Sequence, residues 1–361
     1  MSKAVKFAVC VLVMSVLLIH GLVSAESKKE KYRIGLVVPL SGPVAYIGEA
    51  MKNSLILAKE QIGTTSRFDY DLIIEDDQLD LKLDATIGNK FINVDKVDAI
   101  ITLGGGKVIS PMAKKSKTLH YSVAVMEYIA DGPTNFLHWA PSKVLNGRLA
   151  EEMKKRGIKK YGVFYETTYE GFKIYRDDLK AAADKLGMEM VSDESFPMDA
   201  TDFRAQIARV KGKGADIYVY YCQTPAMEIL TKQLREAGDN TPLTAVESFE
   251  LTKEKDLFEG YWFVSSPHPT NDFVDAYKKR FGYEPAVAGP NTYDILMLVN
   301  HAIINTGSIK KPTSEQIARE LLKIKNFPGS LGNLTIVEPG ITMSDVDMKI
   351  IKNGETVKME P

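Results

Sequence analysis

The stretch YRIGLVVPLSGPVAYIGEAM, residues 32–51, decides the fold. Arg33 to Leu40 is an apolar run rich in Ile, Val and Leu, the composition of a strand covered on both faces of a parallel sheet. Ser41-Gly42-Pro43 breaks it, because no regular element continues through Gly-Pro. From Val44 onward Met51, Leu55, Leu57 and Ile62 recur at helical spacing. The reading is strand, tight loop, helix. In open α/β sheets ligands sit outside the carboxyl ends of strands, which puts Ser41, Ala45 and Tyr46 where a ligand would be.

Working outward toward the N-terminus, Lys3 and Lys6 form a basic region and Phe7 to Ile19 an apolar one. Val23-Ser24-Ala25 supplies small residues for cleavage. Residues 1–25 therefore read as a cleavable signal peptide, too short to span a membrane, with the mature chain starting at Glu26. Lys3 and Lys6 leave with it, so the net charge goes from −1 to −3. No basic excess or lysine-arginine tract remains, which argues against nucleic acid as a partner. Of the two cysteines Cys10 leaves too; Cys222 alone has no partner for an intrachain disulfide. A large disulfide-free chain behind a signal peptide fits a bacterial periplasm.

The strand-helix rhythm continues. Asp69 to Ile74 is a strand ending in Glu75-Asp76-Asp77, and Asp80 caps a helix running to Asn93. The acid cluster lacks the glycine and distal glutamate of a calcium loop. Ala99 to Leu103 is a strand running into Gly104-Gly105-Gly106, which is neither a dinucleotide fingerprint nor a Walker loop. The glycines expose backbone N–H groups beside a helix start, fit for a carboxylate or phosphate, or simply for a turn. Tyr121 to Val125 ends at Met126. The rhythm restarts at Lys160 to Tyr165, with Tyr169 in the following loop. It continues through Asp216 to Tyr221, ahead of Gln223-Thr224, and Leu243 to Val246, ahead of Glu247. Breaks at Ala140-Pro141-Ser142, Ser265 to Pro269 and Pro328-Gly329 divide two such series. Alternating strands and helices imply doubly wound, mostly parallel sheets. The expected organisation is two α/β lobes joined by a three-segment hinge: lobe 1 from 26–140 plus 268–328, lobe 2 from 141–267 plus 329–361.

Four passages carry a family resemblance: Ile34-Gly35-Leu36 through Leu40-Ser41-Gly42-Pro43 with Gly48; Asp76-Asp77-Gln78; Ala140-Pro141-Ser142 through Gly147-Arg148 with Tyr169 and Gly171; and Asn291-Thr292-Tyr293-Asp294. In this order and spacing the chain resembles the periplasmic Leu/Ile/Val-binding proteins of ABC transporters, of the type I periplasmic binding protein fold. The resemblance implies a monomeric, non-catalytic receptor without cofactor or metal, which closes on a small ligand and delivers it to a membrane permease. It implies a ligand carboxylate held near Gly104, Gly105 and Gly106 and at Ala124, Val125 and Met126. Tyr169 would cover the ligand, Glu247 would pair with its ammonium, and Gln223 and Thr224 would face the cleft. Tyr46 and Ile47 would touch the ligand's side chain. Hydroxyls common in the family at the positions of Gly105 and Met126 are absent here. An amino acid of branched-chain or related apolar type is the expected ligand, with an aromatic or other small carboxylate, or an amide, as competitor. A ligand-sensing module for signalling is the alternative role.

Overall fold

The computed structural model describes residues 29–359; the expected signal peptide and its cleavage site lie outside them. Helices and strands follow the expected order closely. The chain runs through β1 (Glu30–Val38), α1 (Ala45–Ile62), β2 (Phe68–Asp76), α2 (Leu81–Lys90), β3 (Ala99–Leu103), α3 (Gly106–Ser116), β4 (Leu119–Val123) and β5 (Asn135–His138). The next series is α4 (Ser142–Lys155), β6 (Lys160–Glu166), α5 (Glu170–Lys185), β7 (Glu189–Phe196), α6 (Arg204–Val210), β8 (Ile217–Tyr221), α7 (Ala226–Glu236), β9 (Leu243–Ala245), α8 (Ser248–Leu251) and β10 (Trp262–Ser265). The helices α9 (Asn271–Phe281), α10 (Gly289–Asn305) and α11 (Ser314–Leu321) follow. Five strands close the chain: β11 (Phe327–Gly329), β12 (Gly332–Val337), β13 (Ile341–Met343), β14 (Asp347–Lys352) and β15 (Glu355–Lys358).

The strands fall into two bodies. The first is an eight-stranded sheet of order β11-β12-β13-β5-β4-β3-β1-β2. Its β2, β1, β3, β4, β5 and β13 are parallel. The second has β7-β6-β8-β9, all parallel. It continues through the parallel bridge Val246–Val264 to the antiparallel β10-β14-β15. Parallel strands buried on both faces need apolar side chains on both, and Leu36, Val37 and Val38 are all buried. The face carrying Leu36 and Val38 packs with α1 and α10, and the other face, with Val37 and Ile100, packs on Phe91. Gly35 is required there, because a Cβ would lie 2.4 Å from the Phe91 ring.

One expected boundary is corrected. Pro328-Gly329 is not a crossing between lobes, and residues 329–343 do not join the second sheet. They form the hairpin β11-β12 and then β13, which pairs with β5 of the first sheet at Ile341–Leu137 and Thr342–His138. Asp294 accepts the Ser330 and Leu331 backbone N–H groups at 2.5 and 3.3 Å and holds that hairpin on α10. The chain leaves for the second sheet only at 344–346, between β13 and β14. The other two passages between the sheets are 139–141 and 266–270.

Candidate functional site

The sequence-selected residues lie at carboxyl ends of parallel strands of both sheets. From the first sheet come Ser41 after β1, Gly104 to Gly106 after β3, and Ala124, Val125 and Met126 after β4. From the second come Tyr169 after β6, Gln223 and Thr224 after β8, and Glu247 after β9. Tyr46 and Ile47 open α1; Tyr46 is exposed and Ile47 buried. Ser41 is exposed. Gln223 and Thr224 are half-buried.

The two groups meet. The Tyr169 ring lies over Val125: a Cβ built on Gly171 would find Tyr169 Cε1 at 2.3 Å and Val125 Cγ2 at 2.8 Å. Gly171 is thus the residue that lets the ring pass. The Tyr169 phenol also takes the Val125 backbone N–H. Lys107 pairs with Glu170 at 3.1 Å, and the Tyr128 hydroxyl donates to the same carboxylate at 3.3 Å. Burial first, and then the charge of Glu228, push the Tyr46 phenol pKa up.

Lobe 1 offers the glycine loop. Gly104 takes φ +72°, a left-handed conformation that suits glycine, and Gly105 caps α3. The first N–H groups of a helix have no acceptor within it, so this start is a site for an acceptor. Behind Gly105 lies Asp84 of α2: a Cβ at 105 would sit 2.3 Å from its Oδ1. Serine therefore does not fit here without moving Asp84. Asp84 faces Asp77, and both are buried. Asp77 Oδ1 takes the Leu79 N–H at 3.0 Å, and the protonated Asp84 carboxyl donates to Asp77. Burial first, and then Asp77, push the Asp84 carboxyl up to about 7. The neighbouring Asp76 is structural. It accepts the Leu40 and Gln78 N–H groups at 2.8 and 3.0 Å and ties the loop after β1 to the end of β2.

Lobe 2 offers Glu247, which the sequence presents as a lone acid. It is not alone. Its Oε2 accepts from the Tyr175 hydroxyl at 2.8 Å and Trp139 Nε1 at 3.0 Å, and its Oε1 from the Ser266 hydroxyl at 3.0 Å. Burial pushes its pKa up, and these three donors oppose the rise by stabilising the charged form. Glu247 itself takes φ +60°, left-handed for a residue with a side chain. Sequence reasoning missed all three donors. Trp139 and Ser266 sit beside or inside the chain breaks, which was the available signal; Tyr175 reads only as a core position of α5.

Two more buried acids went unremarked. Glu166, at the end of β6, is fully buried, and burial pushes it up to about 7; the Gln223 N–H and Thr168 hydroxyl are its nearest donors. Glu228 is buried in the first turn of α7. Cys222 lies close enough to both acids for their charges, after burial, to push its thiol up, which disfavours a nucleophilic role.

Residues 31–347 match the model of a family described as periplasmic binding protein. The chain belongs to that family. It is 24% identical over 351 residues to a Leu/Ile/Val-binding protein homolog of Brucella melitensis, covering 91% of this chain and 93% of that protein. It is also 24% identical to a leucine-, isoleucine-, valine-, threonine- and alanine-binding protein of Pseudomonas aeruginosa, covering 89% and 90%. Among solved structures, a leucine-binding protein of Thermotoga maritima superposes with TM-score 0.78 at 23% identity, covering 91% of this chain and 97% of that one. A solute-binding protein of R. palustris in complex with benzoate gives TM-score 0.81 at 17% identity, covering 91% and 95%. The fold is the type I periplasmic binding protein fold. Among the described residues no helix is long and apolar enough to cross a membrane, and no cluster of His, Cys, Asp or Glu could hold a metal.

Proposed function

We propose that the chain is the exported, non-catalytic receptor of an ABC importer. It captures a small amino acid with an apolar side chain between its lobes and presents it to a membrane permease. It acts as a monomer in the periplasm, released by cleavage after Ala25. Glu247 carries the reading. A partly accessible carboxylate that takes three hydrogen bonds, each favouring its charged form, suits a zwitterion. The ligand's ammonium would meet Glu247. Its carboxylate would meet the N–H groups at Gly104 to Gly106 and Ala124 to Met126. Its side chain would lie among Tyr46, Ile47, Met126 and Tyr169, with Ser41, Gln223 and Thr224 at the margin.

A second reading has its own support. The acid pair Asp77 and Asp84, hydrogen-bonded to each other behind Gly105, still carries negative charge once it loses one proton, so a neutral amide competes with a carboxylate at the glycine loop. Calorimetric titration with L-leucine, L-isoleucine, L-valine, benzoate and acetamide separates the readings. Removing one partner of a desolvated charge pair costs about 2–5 kcal/mol, so Glu247→Gln should weaken L-leucine by about thirty-fold or more. Equal affinities in the wild type and the variant would remove the amino-acid reading.

A further inference from the structure

The three donors to Glu247 differ in where they come from. Tyr175 belongs to α5 within lobe 2. Trp139 is the residue directly after β5, at the start of the first passage between the sheets. Ser266 is the residue directly after β10, at the start of the second. Trp139 also packs against the apolar cores of both lobes. The backbone agrees with the side chain: Glu247 N–H donates to Val264 O at 2.8 Å, binding it to the strand that leads into the second passage. A left-handed φ at a glutamate persists only where its surroundings hold it there.

A carboxylate has about four acceptor positions, two per oxygen. Trp139 and Tyr175 fill those of Oε2, and Ser266 fills one of Oε1. One position on Oε1 stays open. We propose that Trp139 and Ser266 are positioning residues for Glu247: they leave its carboxylate one open acceptor for a ligand N–H, and Trp139 couples that capture to the first passage between the lobes. The coupling to an ammonium rests on the amino-acid reading above; the positioning does not. Trp139 follows a strand of the first sheet, so opening at the first passage moves that donor off Glu247, and the open form loses part of the charge stabilisation that the ligand needs. Ser266 follows β10, which the Glu247 backbone holds, and fixes the carboxylate from its own lobe.

The groups facing Glu247 are Tyr175 and Tyr169 from the α5 side, Trp139 and Ser266 from the passages, and Glu250 of α8. Trp139→Phe and Ser266→Ala each delete one donor and add no charge. Carbon-13 NMR titration of glutamate-labelled protein, with the Glu247 signal assigned by Glu247→Gln, reads the effect without any ligand. A lost hydrogen bond to a charged group is worth about ten-fold or more, so Glu247 should titrate about one pH unit or more higher in each variant. Ser266→Ala is the smaller change and serves if Trp139→Phe does not fold. Calorimetry adds a second arm. L-leucine should bind each variant about ten-fold or more weaker at pH 7, and weaker still at pH 5.5, while benzoate changes little. An unmoved Glu247 titration in a folded variant overturns the proposal, as does a loss equal at both pH values and shared by benzoate. If Glu247 moves but the wild type does not bind L-leucine, the positioning holds and the amino-acid reading falls.

Discussion

Asp84 lies behind the glycine loop of the first sheet and Glu247 ends β9 of the second, and the two carboxyl groups differ in the hydrogen bonds they take. Asp84 is buried and its carboxyl is hydrogen-bonded to another acid, Asp77. Glu247 is partly exposed and takes three donors. Burial raises both; only at Glu247 do donors oppose it. Burial is the larger influence at both acids; at Glu247 three hydrogen bonds offset part of it, and at Asp84 none does. Lobe 2 therefore presents a carboxyl group that takes three hydrogen bonds, and lobe 1 presents backbone N–H groups backed by an acid pair whose carboxyls are pushed up.

The largest break in this comparison comes from deleting the satisfied acid. Glu247→Ala leaves Trp139, Tyr175 and Ser266 without their acceptor. At about 1.5–3 kcal/mol for one hydrogen bond to a charged group, partly recovered by water, the loss should reach about 2–4 kcal/mol in urea unfolding. Glu247→Gln keeps one oxygen for Trp139 and offers an N–H to Ser266, so it should recover at least half of that. If Ala and Gln are equally unstable, the three donors are not what Glu247 satisfies.

The glycine loop gives the next effect. Gly105→Ser puts a Cβ 2.3 Å from Asp84 Oδ1. Overpacking of this kind costs about 1–3 kcal/mol. Asp84→Ala in the same chain should return most of it, because the clash partner is gone. Additive losses in the double variant would show that Gly105 is constrained by something other than Asp84.

How much of this was readable beforehand follows from how local each signal is. The helix at Leu81–Lys90, with Asp80 accepting from the Lys82 N–H, follows from a cap and a periodic face a few residues apart. The hairpin at Asn353-Gly354 follows from its turn pair. The third passage was misplaced because Pro328-Gly329 has strong turn chemistry, whereas the true passage at 344–346 has no glycine or proline. Strand β13 is three residues long, and its partner β5 lies some two hundred positions away, so no periodicity could announce it. The site divides the same way. The loops after β3, β4, β6, β8 and β9 were legible because each follows its own strand. The donors to Glu247 come from 108, 72 and 19 positions away, and only the fold brings them together. The passage Asn291 to Asp294 carried a resemblance, yet its visible work is structural. Asn291 donates to the His138 carbonyl at 3.0 Å, and Asp294 holds the β11-β12 hairpin.

A pH series sharpens the comparison further. The Asp84 carboxyl sits at about 7 in the folded protein against an ordinary 3.8, so folding favours its protonated form. The fold is then fully supported below the ordinary value and loses that support as pH rises through about 7. Asp84→Asn removes the penalty for a buried charge. Its melting temperature should exceed that of the wild type most at pH 8, by less at pH 5, and not at all only below the ordinary value of 3.8. A gain of the same size at both pH values would mean that Asn packs better and that no proton is involved.

The smallest expected effect lies at the rim. Lys107, one residue past the glycine loop, reaches Glu170 at the start of α5 at 3.1 Å, and both side chains are well exposed. Exposed pairs of this kind are worth about 0–1 kcal/mol and are screened by salt. Lys107→Met should therefore change ligand affinity by less than about five-fold at low ionic strength, and not at all near 0.5 M salt. Glu170 keeps the Tyr128 hydroxyl as a second donor from lobe 1, which limits the loss. The contrast with Glu247 is one of geometry. Three donors converge on a partly buried carboxylate there, whereas at the rim a flexible ammonium spans open solvent. A large, salt-independent loss in Lys107→Met would overturn that distinction and place Lys107 in contact with the ligand, as the cation that the acid-backed glycine loop otherwise lacks.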